Sequence, residues 1–206
     1  MPDSEASIYK FQHAELEIAI LEFQNSPSFK TQDYSRFLQK IFNLPPEESL
    51  LQKLSDGSSQ LLNSQRPLSI SHKEKTLCLA LGSDSDIQIL GCDIEALNAA
   101  DRDWRPFIGR FFNALDVSQI ALYKSRNGIA EDEAYLTFFS IKEAVLKATR
   151  LSADPILFSI GYNDTNDCFF INAPKFTGLL SENLKLGKFQ WGKWLVTFAY
   201  RSQKAL

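Results

Sequence analysis

Residues 76–95 contain two strand-like runs joined by a short polar turn. Thr76–Leu81 and Ile87–Glu95 are mostly apolar, whereas Gly82–Asp86 between them is built from Gly, Ser and Asp. This pattern predicts an antiparallel hairpin with a longer loop. Other strand-like runs also occur in clusters, at residues 68–72, 156–160, 168–173 and 189–200. Because strands grouped in this way do not alternate with helices, the sequence predicts an α+β fold and disfavours a doubly wound sheet.

The second strand of this hairpin carries two acidic residues at alternate positions. Asp93 and Glu95 point to the same face of a strand, which we expect to be the solvent face, and Cys92 and Ile94 point to the other. Two neighbouring carboxylates suit a hard cation such as Mg²⁺, which prefers oxygen ligands. The same pattern also fits a charged strand edge that prevents mispairing. The strand alone leaves both interpretations open.

A helix is predicted about fifty residues further on, from about Asp132 to Arg150. Its apolar positions recur at helical spacing and predict a buried stripe, formed by Phe138, Ile141, Val145 and Ala148. Glu143 and Lys147 are four residues apart and therefore share a face. Taken alone, this pair is typical of an ordinary exposed Glu–Lys pair.

The pattern elsewhere predicts further helices, with one segment undecided. Residues 14–23 fit a helix or a strand equally well. Residues 31–54 predict two helices separated by Pro45-Pro46, and Trp104–Phe112 and Asp116–Tyr123 predict two more.

Composition limits the classes of function. The net charge is −3 and the isoelectric point about 5.5, so the chain lacks the basic character of a nucleic-acid-binding protein. The three cysteines are far apart in apolar runs and predict buried thiols in a reducing compartment. The polar start and the lack of a long apolar run predict a cytoplasmic protein without a membrane segment.

Taken together, the two motifs resemble the signature of the 4'-phosphopantetheinyl transferase superfamily. That signature is usually written (Val/Ile)-Gly-(Val/Ile)-Asp followed by (Phe/Trp)-x-x-Lys-Glu-(Ala/Ser)-x-x-Lys. Residues 90–93 read Leu-Gly-Cys-Asp, and residues 139–147 read Phe-Ser-Ile-Lys-Glu-Ala-Val-Leu-Lys. Ser71-His72 upstream and Arg110-Phe111-Phe112 between the motifs match further features of the larger single-chain members. The resemblance covers about residues 68–160.

The resemblance implies a particular architecture. Single-chain members are pseudodimers of two similar α/β lobes with the active site in the cleft between them. We therefore expect an N-terminal lobe at residues 1–96 and a C-terminal lobe at residues 97–206. A chain that carries both halves of the cleft is expected to act as a monomer.

The resemblance also implies an activity. Members transfer 4'-phosphopantetheine from coenzyme A to a serine of an apo acyl carrier protein, or of a peptidyl or polyketide carrier domain, with Mg²⁺ or Mn²⁺ as cofactor. Asp93, Glu95 and Glu143 are the implied metal ligands, and Asp93, Glu143 and Lys147 the implied catalytic residues. Glu143 is the candidate general base, and Lys147 is expected beside the pyrophosphate, where it stabilises charge or protonates the leaving group.

Coenzyme A contacts are expected from several other residues. Ser71 and His72 match the position at which members bind a phosphate of coenzyme A, although a lone histidine is also often structural. Lys142 fits a phosphate ligand or a solvated lysine equally well. Members hold the 3'-phosphate with basic residues of the first lobe, for which this chain offers Lys30, Arg36, Lys40 and Arg66, with Arg36 the preferred candidate.

The chain also departs from the family pattern. Many members carry Gly-Lys-Pro about fifteen residues before the histidine, whereas residues 57–59 here read Gly-Ser-Ser. This difference motivates an alternative hypothesis, a weakened member that binds a carrier protein without efficient use of coenzyme A. A third hypothesis is a Mg²⁺-dependent enzyme that acts on another pyrophosphate ester.

Overall fold

The computed structural model describes residues 6–13, 15–25, 31–54, 59–83, 87–97, 102–150, 154–172 and 184–202. Within these ranges, helices and hairpin-forming strands make an α+β fold, which confirms the predicted class. In chain order the elements are β1 (Ala6–His13), β2 (Leu16–Phe23), α1 (Thr31–Phe42), β3 (Leu51–Lys53), β4 (Ser59–Leu61), β5 (Leu68–Lys73), β6 (Thr76–Gly82), β7 (Ile87–Ala96), α2 (Ala114–Asn127), α3 (Glu131–Thr149), β8 (Ser159–Asn163), β9 (Cys168–Asn172), β10 (Lys185–Trp191) and β11 (Trp194–Ser202).

An antiparallel sheet with the order β1-β2-β6-β5 forms the first half of the fold. Its central strands β2 and β6 are apolar at almost every position because both faces of the sheet are buried. One face carries Ala19, Leu21 and Leu79, which pack against Leu38 and Ile41 of α1. The other face is turned towards a second sheet.

The second sheet has the order β10-β11-β7 and lies between the first sheet and α3. Its inner face packs on the first sheet through a shared apolar cluster that includes Cys92, Ile94 and Phe198. Its outer face belongs to a third cluster with α3, to which Leu195 and Ala199 contribute. Strand β7 therefore alternates between two buried surroundings, since its neighbouring side chains point to opposite faces.

Gly91 allows α3 to lie directly on β7. A Cβ atom at this position would lie 2.0 Å from the carbonyl oxygen of Ala144 and 2.4 Å from the amide nitrogen of Ala148. Both obstacles are backbone atoms of α3, so a larger residue would push the helix away from the strand. The glycine two positions before Asp93 therefore brings the two sequence motifs into contact.

Several predicted elements are confirmed and three are wrong. The strands at residues 76–82 and 87–96, the helix at 31–42 and the helix at 131–149 are present, and residues 16–23 form a strand. The predicted hairpin at residues 76–95 does not form, because β6 pairs with β2 and β5 whereas β7 pairs with β11 in the other sheet. The predicted second helix after Pro45-Pro46 is instead a turn followed by β3. The turn is fixed by buried Ser49, whose hydroxyl donates to the carbonyl of Pro46 and accepts from Gln39.

The predicted helix at residues 104–112 is also wrong. Only a short 3₁₀ turn forms at Arg105–Phe107, and Gly109 takes a left-handed conformation with φ of 82°. Pro106 lacks an amide donor, and Trp104 and Phe112 turn into the aromatic core instead of following a helical ladder. This segment therefore packs as an aromatic loop over α3.

The proposed division at residue 96 remains a prediction, as does the pseudodimer. Strand β7 belongs to the first proposed lobe but pairs along its length with β11 of the second.

Cys78 and Cys92 are buried free thiols, as predicted, and Cys168 is half-buried. None of the described helices combines the length and apolar composition needed to cross a membrane.

Candidate active site

A cleft of about 730 Å³ lies between the beginnings of β5 and β7 and the C-terminal end of α3. Polar and cationic side chains line it, among them Tyr34, Lys53, His72, Lys147 and Arg150. The three strand and helix segments that form its walls are the same segments that carry the sequence motifs. At the inner end of this cleft, Lys147 contacts Asp93.

Asp93 is the residue on which the motifs converge. Its Oδ1 accepts hydrogen bonds from the Ser71 hydroxyl at 2.9 Å and the Lys147 ammonium at 2.7 Å. Its Oδ2 accepts from the Ser140 hydroxyl at 2.8 Å. These donors come from β5 and α3, so a single carboxylate joins three elements. Because α3 covers this face of β7, Asp93 is only 5% exposed, and the predicted solvent-facing position is wrong.

Lys147 lies between Asp93 and the cleft. Its ammonium also donates to the Ser71 hydroxyl at 3.0 Å. Burial, the largest single effect, lowers the pKa of Lys147, but the charge and hydrogen bond of Asp93 together with Cys92 and Glu143 outweigh it and raise the pKa. The side chain therefore stays cationic at the inner end of the cleft, where an anionic group of a ligand would meet it.

Glu143 lies one turn before Lys147 on the same face of α3. Burial, followed by the negative charges of Asp93 and Glu95, raises the pKa of this carboxyl, while Lys147 opposes the shift. The three carboxylates are thus close enough to influence one another. A raised pKa makes Glu143 a better proton acceptor than an ordinary glutamate.

Glu95 completes the acidic group and pairs with a lysine that sequence reasoning missed. Its Oε2 lies 2.6 Å from the Nζ atom of Lys73, at the end of β5. The contact lacks hydrogen-bond geometry, so among the described side chains Oε2 is a buried oxygen with no hydrogen-bond partner. Glu95 itself is 6% exposed.

The carboxylates of Asp93, Glu95 and Glu143 are the type of ligand that a divalent cation takes, although they are not arranged as a preformed metal site. Within the described ranges, no group of three or more His, Cys, Asp or Glu side chains is already gathered for coordination. Asp93 and Glu95 are instead paired with Lys147 and Lys73. Glu95 Oε2 is buried and has an ion-pair partner but no hydrogen-bond partner among the described side chains, and the charges of Asp93 and Glu95 act on Glu143. Both features fit a cation that takes carboxylate oxygens.

Ser71 and His72 lie at the cleft on opposite faces of β5. The Ser71 side chain is buried and points to Asp93, whereas His72 is exposed and lines the cleft. Alternation along the strand explains the difference. His72 is available to a ligand, while Ser71 positions Asp93 and Lys147.

Lys142 is directed away from the cleft, and the predicted contact with coenzyme A is corrected. The side chain is fully buried, and its ammonium donates to Asp116 at 2.6 Å and to the carbonyls of Phe111, Pro155 and Phe158. Burial lowers the pKa of Lys142 and raises that of Asp116, while their attraction opposes both shifts. Lys142 therefore holds loops together around α3.

Arg36 is not brought to the cleft either. It is exposed on α1, whereas the cleft is lined by Tyr34, two residues earlier. Two helical positions differ by about 200°, so the two side chains point in nearly opposite directions. Lys40 is exposed on α1, Arg66 pairs with Glu17 and donates to the carbonyl of Gly82, and Lys30 lies outside the described residues.

Four further residues at the site were not predicted. Ser140 could have been found from its spacing, because residues 140, 143 and 147 share one helical face. Lys73 could have been found from strand alternation, since residues 69, 71 and 73 point together towards β7. Lys53 and Arg150 line the cleft through tertiary packing alone. Arg150 ends α3 in a left-handed conformation with φ of 52°.

Comparison with known proteins identifies one family. The family model of the 4'-phosphopantetheinyl transferase superfamily matches residues 89–198, more than half of the chain. The match begins in β7, spans α2 and α3, and ends in β11, so it contains Asp93, Glu95, Glu143 and Lys147. A comparison with curated proteins finds no match. The chain belongs to the 4'-phosphopantetheinyl transferase superfamily.

Proposed function

We propose that this protein transfers 4'-phosphopantetheine from coenzyme A to a serine of an apo acyl, peptidyl or polyketide carrier protein, with a divalent cation as cofactor. The observation that carries the proposal is the convergence at Asp93. One carboxylate accepts from Ser71 and from both Ser140 and Lys147 of α3, at the inner end of a cleft lined by cations. Family membership supports the type of reaction, and this geometry supports the choice of residues.

The reaction breaks the phosphoanhydride bond of the pyrophosphate and forms a phosphoester bond to the carrier serine. The carrier serine oxygen attacks the phosphorus that bears the pantetheine group, and the bond from that phosphorus to the bridging oxygen breaks. The products are the phosphopantetheinyl serine and adenosine 3',5'-bisphosphate. The serine proton must be removed, and the negative charge that develops on the leaving oxygen must be stabilised.

Glu143 is the proposed proton acceptor. Its raised pKa and its position beside the cleft-facing Lys147 support this role. The proton moves from the carrier serine to a Glu143 oxygen, directly or through a water. Ser71 and Ser140 keep Asp93 oriented, so that the acidic group holds one arrangement during the reaction.

Lys147 is the proposed stabiliser of the leaving phosphate. It is cationic, reaches the inner end of the cleft and is held in place by Asp93 and Ser71. His72, Lys53 and Arg150 provide further positive or hydrogen-bonding groups along the cleft for the other phosphates. When bound by Asp93, Glu95 and Glu143, Mg²⁺ or Mn²⁺ supplies positive charge to the pyrophosphate oxygens. Positioning and electrostatics of this kind carry most phosphoryl transfers.

Intact-mass spectrometry of apo carrier proteins tests the proposal. Acyl, peptidyl and polyketide carriers are each incubated with the protein, coenzyme A and Mg²⁺, with EDTA in a parallel reaction. We expect one carrier class to gain the phosphopantetheine mass on its serine, and we expect EDTA to prevent the gain. The proposal fails if none of the carriers gains this mass under conditions in which a known transferase modifies them.

Calorimetry with coenzyme A separates the alternative of a weakened family member. The cleft-lining Lys53 and Arg150 offer cations for the phosphates although residues 57–59 lack the expected lysine. We therefore expect measurable binding of coenzyme A in the presence of Mg²⁺. Carrier binding without coenzyme A binding would favour the weakened member.

The proposed monomeric state is tested separately, by size-exclusion chromatography with light scattering.

A further inference from the structure

Strands β5 and β7 join the two sheets through a ladder of polar contacts. The Ser69 hydroxyl accepts from the Cys92 amide at 2.8 Å, Ser71 donates to Asp93, and Lys73 pairs with Glu95. The last contact in this ladder differs in kind, because it joins two full charges. Lys73 therefore forms an ion pair with Glu95, a carboxylate that the proposed function assigns to the metal.

The Lys73–Glu95 pair is asymmetric. The Glu95 side chain is 8% exposed, whereas that of Lys73 is 34% exposed and lies at the end of an edge strand. The Glu95 carboxylate is too little exposed to be fully hydrated, so a nearby cation stabilises its charge. Lys73 can move into solvent at little cost because a lysine stem is long and flexible.

The geometry of the Lys73–Glu95 pair suits an ion pair that a metal ion can displace. Glu95 Oε2 lies 2.6 Å from Lys73 Nζ without hydrogen-bond alignment, and it is otherwise a buried oxygen without a partner among the described residues. Lys147, by comparison, makes aligned hydrogen bonds to both Asp93 and Ser71. The Lys73 contact balances charge, but it does not satisfy the oxygen.

We propose that Lys73 is an internal counter-ion that neutralises Glu95 in the metal-free protein and is displaced when a divalent cation binds. The inference rests on the proposed function, because it takes Asp93, Glu95 and Glu143 as the metal ligands. Lys73 lowers the affinity for the metal, since the metal must break the ion pair. In return, it keeps a buried carboxylate from being uncompensated when the metal is absent.

Binding of Mn²⁺ alone, without coenzyme A or carrier, tests this role. Free Mn²⁺ is measured by electron paramagnetic resonance during titration of the full chain. We expect Lys73→Met to bind Mn²⁺ about tenfold more tightly than wild type, a change of about 1.4 kcal/mol. Lys75→Met is the matched control, because Lys75 lies on the same turn and donates to the carbonyl of Gln24 instead of a carboxylate. It removes the same charge and should change the affinity less than about twofold.

Thermal unfolding gives a second readout, because Lys73→Met should be less stable than wild type without metal but gain more stability from Mn²⁺. Without metal, Lys73→Met should unfold at a lower temperature than wild type, because Glu95 is left buried and unpaired. Saturating Mn²⁺ should raise its unfolding temperature more than that of wild type. If Lys73→Met does not fold, Lys73→Arg serves instead, and we expect weaker Mn²⁺ binding because a guanidinium holds a carboxylate through two bonds.

Each result decides the proposal. Tighter Mn²⁺ binding by Lys73→Met, or weaker binding by Lys73→Arg, with Lys75→Met unchanged, supports it. Equal or weaker binding by Lys73→Met overturns it, and so does the absence of Mn²⁺ binding to every protein tested. A wild-type protein that modifies a carrier while Lys73→Met binds Mn²⁺ normally refutes only the role of Lys73, leaving the proposed function intact.

Discussion

The two sides of α3 carry one lysine each, and the two lysines have opposite surroundings. Lys142 is fully buried and donates to Asp116 and three backbone carbonyls. Lys147, five residues later, reaches a cleft and binds Asp93 and Ser71. Five residues correspond to about 140° around a helix, so the two ammonium groups lie on different faces.

The comparison shows that two lysines of the same α3 motif have different surroundings, one suited to a structural role and the other to a chemical one. Lys142 satisfies backbone acceptors in the loops before α2 and before β8, and it thereby fixes the position of α3 in the core. Lys147 keeps its charge where a ligand can meet it. Substitutions should therefore separate the two lysines, with stability affected on one side and turnover on the other.

The largest expected effect is on the cleft side, at Asp93. Asp93→Asn keeps the shape of the side chain but removes a proposed metal charge and the ion pair with Lys147. We expect single-turnover transfer to slow by about 10³-fold or more. A parallel thermal melt guards against unfolding as the cause. Turnover within about threefold of wild type would remove Asp93 from the chemistry.

Lys147→Met should come next in size. Loss of one charge-stabilising contact typically costs about 2.7–4 kcal/mol, or about 10²–10³ in rate. Single-turnover transfer measures the rate, and Mn²⁺ binding should be retained. Lys124→Met is the control, since Lys124 forms an exposed pair with Glu131 and should leave turnover unchanged. A rate for Lys147→Met equal to that of the control would return Lys147 to a purely structural role.

Lys142→Met tests the core side. It leaves Asp116 and three carbonyls buried without their cation, and breaking a buried pair in this way typically costs about 3–5 kcal/mol. For a chain of this length we expect the melting temperature to fall by about 10 °C. The transfer rate per folded molecule should stay within about threefold of wild type. A stable but inactive Lys142→Met variant would contradict the division between the two faces.

His72→Ala should have a smaller effect, confined to binding. His72 is exposed and lines the cleft. We expect its proposed contact with a phosphate to be equally strong in the ground state and the transition state. We expect the KM for coenzyme A to rise about tenfold, with kcat within about threefold of wild type. Steady-state kinetics at varied coenzyme A concentration measure both. An unchanged KM with an earlier melt would make His72 structural.

The smallest expected effect is on the stability of the metal-free protein, which should rise slightly in Glu143→Gln although this variant loses the proposed base. Folding raises the pKa of Glu143, so its ionised form is disfavoured in the folded state at neutral pH. Glutamine removes this cost, and the melting temperature should rise slightly. The gain should disappear as the pH falls through the raised pKa of Glu143 and then through the ordinary pKa of a glutamate, because the wild-type carboxyl is then protonated in both the folded and the unfolded state. A loss of stability at neutral pH would contradict the direction of the shift.

The sequence predicted the elements that carry the site better than their surroundings. Strand alternation placed Asp93 and Glu95 on one face, and helical spacing placed Glu143 and Lys147 on another. Neither pattern could reveal that α3 covers the acidic face of β7, because this depends on the close approach at Gly91. The burial of Asp93 is therefore a tertiary property.

The two corrected residues failed for related reasons. The sequence leaves Lys142 equally compatible with a phosphate ligand and a solvated lysine, but its backbone acceptors come from segments at residues 111 and 155–158. Arg36 was chosen for its charge, although the direction of its side chain is set by how Leu38 and Ile41 pack α1 on the first sheet. Charge and spacing identify candidates, whereas packing decides which of them reach the cleft.

The most direct test of the central claim measures both products in one single-turnover reaction. Wild-type protein, coenzyme A, Mg²⁺ and an apo carrier are mixed, and the carrier mass and adenosine 3',5'-bisphosphate are followed over time. We predict that phosphopantetheinyl carrier and adenosine 3',5'-bisphosphate appear in equal amounts and at the same rate. Adenosine 3',5'-bisphosphate without modified carrier would identify a pyrophosphate-ester hydrolase instead, and the absence of both products would contradict the account.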